Sequence, residues 1–576
     1  MTNKQLKNLK DRLWKGADQL RANSGLKSTE YATPILGLIF LRFAESKYRK
    51  FEAEINAEYE KIRGTRIERP IHEIAVEKCG YYLPPEARFD YLLNLPEAEN
   101  LAEKTKIAME DIEKYTIELA DTLPKDVYYS VNSEDDPLVL AKLFKVFKDI
   151  PTDVNLDIFG EIYEYFLGNF ALAEGQGGGE FFTPSTVVRY MVEVLAPTEG
   201  EIFDPACGSG GMFVQTAHYI AHHGAKGKDI NLRAYGVEKT GATVKLAKMN
   251  LVLNNVRGSI TEANSYYRDP YNCFGRFSYV MANPPFNVDE VELDQVKSQP
   301  RFNKYGVPQN KTKKAKGDAK ETVPNANYLW INLFATSLNK TGRAALVMAN
   351  SASDAGHSEK EIRKKLIESG VISQMVTLST NMFTSVTLPA TLWFFNNDEQ
   401  NRCKSEILFI DARNIFTQID RAQRKFSDEQ IKNLAIITRL YEGKSEEFFE
   451  LIDEYKAELA EAPETSDDED IKPKTYWQEQ IDWLLTRFPD GKYVDIIGLC
   501  KVAQLEGEDG IKDQDYSLNP GRYVGVVIED DGLTEDEFKN EMRSLNAELT
   551  ALNKEAQELE RTIEENLRSV FMDSFA

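Results

Sequence analysis

Cysteine is scarce in this sequence and nowhere paired: Cys79, Cys207, Cys273, Cys403 and Cys500 are scattered, and no CxxC occurs. That excludes a zinc ribbon and a disulfide framework, and it fits a reducing compartment. Positive charge is also short. The 576 residues carry a formal net charge of −23, the wrong sign for a chain that grips nucleic acid alone, because duplex binding is dominated by cation contacts to phosphate. Any nucleic-acid role must be local or shared with a more basic partner; taken alone, the acidic total means a soluble surface. Long apolar runs are missing too. The longest, ILGLIFLRF from Ile35, is too short to span a bilayer and is broken by Arg42, and the N-terminal MTNKQLKNLKDRLWKG has no apolar signal core. A cytoplasmic chain with no membrane role is expected. Neither GxGxxG nor GxxxxGK[ST] is present, so a standard dinucleotide fingerprint and a phosphate loop are both excluded.

What is present divides along the chain. Residues 1–150 read as a helical domain of its own, with apolar residues three and four apart in YATPILGLIFLRFAESKYRKFEAEI and around LAKLFKVFKDI. Residues 151–430 read as a second domain. It begins with the helix LDIFGEIYEYFLGNFA and the Gly-rich AEGQGGGEFFTPS. From Glu201 the short apolar runs EIFDPA, AYGVE, FSYVMA, RAALVMA, VISQMVTLS and PATLWFFNN alternate with helix-length segments. Such alternation predicts crossover connections and a mostly parallel α/β sheet covered on both faces. VISQMVTLS and PATLWFFNN lie too close for a crossover helix and predict an antiparallel hairpin at the sheet edge. Residues 431–534 read as helical and acidic, with AEAPETSDDEDIKPK as a solvated linker. In 535–576, Phe538, Met542, Leu545, Leu549, Leu552, Ala556, Leu559 and Ile563 alternate four and three apart, with Leu567 four later. That is a heptad seam of the kind that takes a partner helix, although a long helix packing on its own domain also fits.

Two motifs carry chemistry. EIFDPACGSGGMFVQ reads as strand, glycine-rich turn, helix: Gly208, Gly210 and Gly211 let the backbone turn tightly and approach a ligand at a helix N-terminus. The next strand, AYGVE, ends in Glu238, placed where nucleoside cofactors have their ribose hydroxyls bound by a carboxylate. The second motif is NPPF, Asn283–Phe286, at the end of FSYVMA. The Asn283 amide oxygen and the Pro284 carbonyl can both accept from an exocyclic amino group. Pro284 and Pro285 stiffen their directions, and Phe286 offers a face for a planar base. Two aligned acceptors draw a conjugated amino nitrogen toward tetrahedral geometry and stabilise the charge that grows on it as a methyl group arrives. Between Lys297 and Lys320, eight Lys or Arg face the single acid Asp318, either a solvated loop or one that closes over DNA phosphates. His218, His222 and His223 have no acid to complete a metal site, and no metal is expected.

DPACGSGG, GVEK and NPPF in this order, preceded by FFTPS, resemble the amino-directed DNA methyltransferases that use S-adenosylmethionine. The wider frame, from GEIYEYFLGNFA and GGEFFTPS to FIDARN and SLNPGRYV, resembles the modification (M) subunit of type I restriction-modification systems over nearly the whole chain. The resemblance implies a Rossmann-like, mostly parallel seven-stranded sheet in residues 151–430, which it makes the methyltransferase catalytic domain, with an N-terminal helical domain and a C-terminal helical, coiled-coil region. It implies that Glu180, Phe181, Phe182, Thr183, Pro184 and Ser185 flank the cofactor, with Phe182, Thr183 and Pro184 at its methionine end. Asp204, Gly208, Ser209 and Gly210 would form its main loop, Glu238 would hold the ribose, and Asn264 with Ser265 in TEANSYY would lie by its adenine. NPPF implies adenine N6 as acceptor, with Asn283, Pro284, Pro285 and Phe286 as the catalytic set; in this family the fourth residue is more often Tyr. The turn after the next strand, VMANSASDAG, departs from the family pattern and leaves Asn350 without a role.

The implied partners are double-stranded DNA, a specificity (S) subunit, a second modification subunit and a restriction (R) subunit. The acidic total and the absence of a base-reading module agree with sequence being read by a separate subunit. The rival readings are a self-sufficient DNA amino-methyltransferase, which the acidic, helical residues after 430 disfavour; a protein-glutamine methyltransferase, disfavoured by the long helical flanks; and a non-catalytic scaffold, disfavoured by Asp204, Glu238, Asn283 and Phe286.

Overall fold

The computed structural model describes residues 3–26, 30–151, 158, 162–163, 165–166, 169–170, 183–223, 231–309, 321–383, 389–398, 405–419, 423–466, 471–527 and 535–572. Its strands are β1 (Gly200–Asp204), β2 (Leu232–Glu238), β3 (Gly258–Glu262), β4 (Phe277–Ala282), β5 (Leu338–Ala349), β6 (Ile372–Leu378), β7 (Ala390–Asn396), β8 (Glu406–Ala412), the short pair β9 (Thr417–Gln418) and β10 (Arg424–Lys425), and β11 (Cys500–Gln504). All except β9 and β10 form one nine-stranded sheet in the order β11-β8-β6-β7-β5-β4-β1-β2-β3. Successive side chains enter opposite layers: Ile202 and Met281 join one core, Phe203, Val280 and Ala282 the other. A sheet covered on both faces needs strands apolar at every position, which is why these runs show no polar alternation.

The sheet is mostly parallel, as expected, and wider than the seven strands expected. β8 lies parallel to β6, and β11 lies antiparallel to β8 at the edge. The antiparallel pair VISQMVTLS and PATLWFFNN forms as β6 and β7. It is not at the edge: β7 also pairs with β5, and β8 and β11 lie beyond β6. The segments after 430 also belong to this body. Helices Asp428–Tyr441, Ser445–Glu461 and Lys474–Arg487 bury Leu434, Ile437, Phe448, Trp477 and Leu484 in the same core as Ile202. The acidic stretch read as a linker therefore joins two packed helices, with Lys472 Nζ 2.5 Å from Glu429 Oε1; residues 467–470 lie outside the described residues.

The N-terminal residues are helical, including Ala32–Ile62, whose apolar run from Ile35 is buried. Their core is not closed on itself: Met249, Val252 and Leu253, from the helix Gly241–Leu253 between β2 and β3, are part of it. Lys47, 4% exposed, donates from Nζ to the Leu253 carbonyl at 2.7 Å and so caps that helix. Burial pushes its ammonium down to about 8. The chain forms two compact units, Met1–Gly525 and Val526–Ala576. Among its described residues the second contains one helix, Glu535–Met572, along which Phe538, Met542, Leu545, Leu549, Leu552, Leu559 and Ile563 are exposed.

Candidate active site

Strand order reverses at β1. The chain runs β1, β2, β3 toward one edge and then returns to place β4 on the other side of β1, both neighbours parallel to it. A crevice opens at the carboxyl ends of parallel strands where neighbouring connections leave in opposite directions. Asp204 closes β1, Glu238 closes β2, and Asn283 follows the last residue of β4, so three motifs far apart in sequence meet at one end of the sheet. Thr183, Ser185, Val188, Asp204, Ala206, Cys207, Gly208, Ser209, Gly211, Met212, Gln215 and Asn283 line a single cleft there.

The glycine-rich turn follows the path its residues predict. Gly208 and Gly210 sit at φ +50° and +81°, backbone that only glycine adopts at little cost. A Cβ on Gly210 would stand 2.9 Å from Leu251 Cδ1, whereas one on Gly208 would meet nothing within 4 Å. The turn leads directly into the helix Gly211–His223, whose first N–H groups point to the same place. Glu238 braces the turn: Oε2 accepts from the Gly208 N–H at 3.2 Å and Oε1 from the Thr240 N–H at 2.8 Å. Each oxygen of a carboxylate has two acceptor sites, so one site on each is left for a pair of ligand hydroxyls.

Asp204 is 1% exposed, and its Oδ1 accepts from the Ala206 N–H at 2.9 Å. Burial raises its carboxyl well above the ordinary range; the Ala206 bond opposes this and the charge of Glu238 adds to it. Burial likewise pushes the Cys207 thiol up, so that side chain is packing, not a nucleophile.

NPPF leaves β4 as a loop, with Pro284 buried and Asn283, Pro285 and Phe286 half-buried. Phe286 packs against the edges of both sheet cores. Thr183 and Ser185 line the cleft, and Pro184 starts the helix Ser185–Leu195; Glu180, Phe181 and Phe182 lie outside the described residues. Asn264 is not among the residues lining the cleft. Its Oδ1 accepts from Tyr266 N–H at 3.0 Å and its carbonyl from Tyr267 N–H at 3.0 Å, so it shapes the turn after β3. Ser265 Oγ donates to the Pro205 carbonyl at 2.5 Å and ties that turn to the glycine-rich one. Asn350 begins a short 3-10 turn and accepts from Thr391 Oγ at 2.8 Å.

The basic segment divides. Lys297 pairs with Asp294, Lys304 lies over the Tyr305 ring, and Arg301 is 4% exposed, stacked on Phe302 with Nε donating to Gln299. Arg301 is therefore structural, and Lys311 to Lys320 lie outside the described residues. No group of His, Cys, Asp or Glu among the described residues is arranged to hold a metal, and His218 instead meets Asn254 Oδ1 at 3.2 Å.

Sequence reasoning missed Asn250. It is 5% exposed, and its Nδ2 donates to the Ser209 carbonyl at 3.0 Å, holding the glycine-rich turn from the helix Gly241–Leu253. The available signal was an amide inside the apolar run LAKMNLVL, where a buried polar side chain needs a partner.

A model of the N-6 DNA Methylase family matches residues 154–480, and one of the HsdM N-terminal domain matches residues 9–150. The type I restriction enzyme MjaIX methylase subunit of Methanocaldococcus jannaschii is 33% identical over 97% of this chain and 90% of its own length. The HindI methylase subunit of Haemophilus influenzae is 32% identical over 86% of this chain and 97% of its own. The crystal structure of a type I restriction-modification system methyltransferase subunit from Streptococcus thermophilus superposes with a TM-score of 0.64, at 20% identity, over 90% of this chain and 99% of that one. It shares the fold.

Proposed function

The chain belongs to the N-6 DNA methylase family, and from that membership we propose that it is the modification subunit of a type I restriction-modification complex, methylating N6 of an adenine flipped out of duplex DNA. It is an adenine-specific DNA methyltransferase of the S-adenosylmethionine-dependent class. The observation that carries the finer reading is the convergence of Asp204, Gly208 and Asn283 on one cleft at the switch point of the sheet.

The residues present fit S-adenosylmethionine. The Gly208 position leaves open space for close approach of a ligand, and Glu238 keeps acceptor capacity on both carboxylate oxygens. We assign the ribose to Glu238, the main loop to Asp204, Gly208, Ser209 and Gly210, and the methionine end to Phe182, Thr183 and Pro184. When bound, the cofactor supplies an electrophilic methyl group. Asn283 and Pro284 accept from the adenine amino group and stabilise the charge developing on its nitrogen, while Phe286 stacks on the base. The base must leave the helix to reach such a pocket, at a cost of a few kcal/mol. Catalysis is positioning plus electrostatics, with neither a metal nor an enzyme nucleophile.

Sequence reading is assigned to a separate specificity subunit, and the exposed seam of Glu535–Met572 is the surface given to that subunit and to a second modification subunit; a restriction subunit is a further partner. Seven exposed apolar residues on one helix are more than a chain working alone leaves uncovered. A cytoplasmic location fits the free thiols of Cys79, Cys207, Cys273 and Cys500, and no described helix is long and apolar enough to cross a membrane. The test is mass spectrometry of digested host DNA with the gene, without it, and with Asn283→Ala. N6-methyladenine that appears only with the wild-type gene supports the reading. Its absence with the wild-type gene, or its persistence with Asn283→Ala, overturns it.

A further inference from the structure

The backbone takes an unusual path one residue beyond the base clamp. Asn287 has φ +57°, a left-handed conformation that asparagine tolerates better than other residues with a side chain. Its amide group is held from two sides. The Asn287 N–H donates to Asn327 Oδ1 at 2.8 Å, and Asn287 Oδ1 accepts from Asn327 Nδ2 at 3.0 Å and from Asn325 Nδ2 at 3.1 Å. Asn325 Oδ1 in turn accepts from the Asn327 N–H at 2.8 Å. Amide oxygens and nitrogens are assigned from their networks, and here backbone donors settle the assignment. Each N–H needs an oxygen opposite it, which turns Nδ2 of Asn327 and of Asn325 toward Asn287 Oδ1.

The contact continues along the chain. Ala326 N–H bonds to the Val288 carbonyl, Val323 N–H to Val291, and Leu293 N–H to Glu321, so residues 321–327 run beside 287–293. Asn327 is 3% exposed and is the first residue of the helix Asn327–Ser337, buried along its whole length. The exit of NPPF is thereby tied to a helix locked in the core. The entrance is already fixed by β4, whose residues pair with β1 and β5.

We propose that Asn327 and Asn287 are positioning residues of the methyl-transfer step: their reciprocal amide pair sets the reach and tilt of Asn283 and Phe286 without touching the substrate. The inference rests on the methyltransferase reading above. A strained residue held by several bonds next to a reactive loop is a recurring way to fix geometry, and small misplacements of a positioning group cost about a hundredfold in rate.

The pair has a polarity that can be tested. Asn287 Oδ1 only accepts, so Asn287→Asp keeps both its bonds. Asn327 Nδ2 must donate, so Asn327→Asp loses that bond and sets a carboxylate against an oxygen. Asn287→Gly keeps the left-handed backbone and the N–H but removes the acceptor. The full-length chain, purified with its DNA-recognition subunit, is assayed by single-turnover methyl transfer at saturating duplex and S-adenosylmethionine, with calorimetric S-adenosylmethionine affinity and melting temperature alongside. Expected are rates 10- to 100-fold down for Asn327→Asp and Asn287→Gly, a rate within threefold of wild type for Asn287→Asp, and S-adenosylmethionine affinity within twofold for all three. Equal rates for Asn327→Asp and Asn287→Asp, or a wild-type rate for Asn287→Gly, overturn the inference while wild-type turnover keeps the functional reading. A wild-type complex that transfers no methyl group overturns both.

Discussion

Glu238 and Gly208 are joined across two strand ends: the end of β2 accepts the N–H of the turn that follows β1, at 3.2 Å. One carboxylate thus braces two backbone turns, and on the assignment proposed above it also presents acceptors to a ligand. Glu238→Gln keeps an acceptor for one of its two backbone donors, whereas Glu238→Ala leaves Gly208 N–H and Thr240 N–H without it and, on the proposed assignment, removes the ribose contact. S-adenosylmethionine affinity is expected to fall by about 1.5–3 kcal/mol in Glu238→Ala, with Glu238→Gln between that and wild type. Titration calorimetry measures both, and unchanged affinity in Glu238→Ala removes the assignment.

Asp204 gives a pH signature in the absence of cofactor. Its folded-state pKa is raised, chiefly by burial, so the unfolded chain ionises first as pH climbs past about 4. Stability contributed by this group is full below that pH and is lost as pH rises toward the folded value. Asp204→Asn has no proton to lose and keeps an oxygen for Ala206 N–H. Its melting temperature is expected to lie a few degrees above wild type at pH 7 and to converge with it near pH 4. Parallel pH profiles for the two proteins contradict this.

The two turn glycines are expected to fail differently. Gly210→Ala combines left-handed strain, about 1–2 kcal/mol, with a contact on Leu251 Cδ1, so it lowers the melting temperature. Gly208→Ala carries strain alone and puts its methyl group into open space beside the cleft. It is expected to lose more S-adenosylmethionine affinity and less stability than Gly210→Ala, as read by calorimetry and thermal melts. The reverse order places the ligand elsewhere.

Leu549 and Leu552, 57% and 55% exposed, test the seam of the C-terminal helix. Changing both to Asp is expected to abolish co-purification with the specificity subunit and leave the melting temperature of the methyltransferase body unchanged, since no buried core residue is altered. Normal assembly, checked by size-exclusion chromatography with light scattering, makes the seam irrelevant to partners.

On the proposed assignment Phe286→Ala removes the stacking face, and Phe286→Tyr or Phe286→Trp is expected to restore most of the methylation rate. A duplex with a mismatched target adenine lowers the cost of flipping and is expected to rescue Phe286→Ala in part but not Asn283→Ala. Equal rescue of both in a single-turnover assay reduces NPPF to a rigid turn.

Much of this was legible in the chain because it is local chemistry. A strand followed by DPACGSGG and a helix, a carboxylate ending the next strand, and two prolines after a third are consequences of φ preferences and backbone satisfaction over a few residues. The heptad seam is equally local, a spacing that any helix displays. Tertiary structure decided what depends on distant partners. β8 and β11 widen the sheet because Ile410 and Cys500, 90 residues apart in the sequence, meet across a ladder that no periodicity announces. The helices after 430 look like a separate acidic region because their polar faces dominate the composition, yet their apolar faces join one core of the sheet. Asn264, which the resemblance places by the cofactor's adenine, also shapes its own turn, while Asn250, Asn325 and Asn327 look like ordinary polar residues and hold the loops of the site. An amide acquires its role from the group it faces, and that group is chosen by the fold.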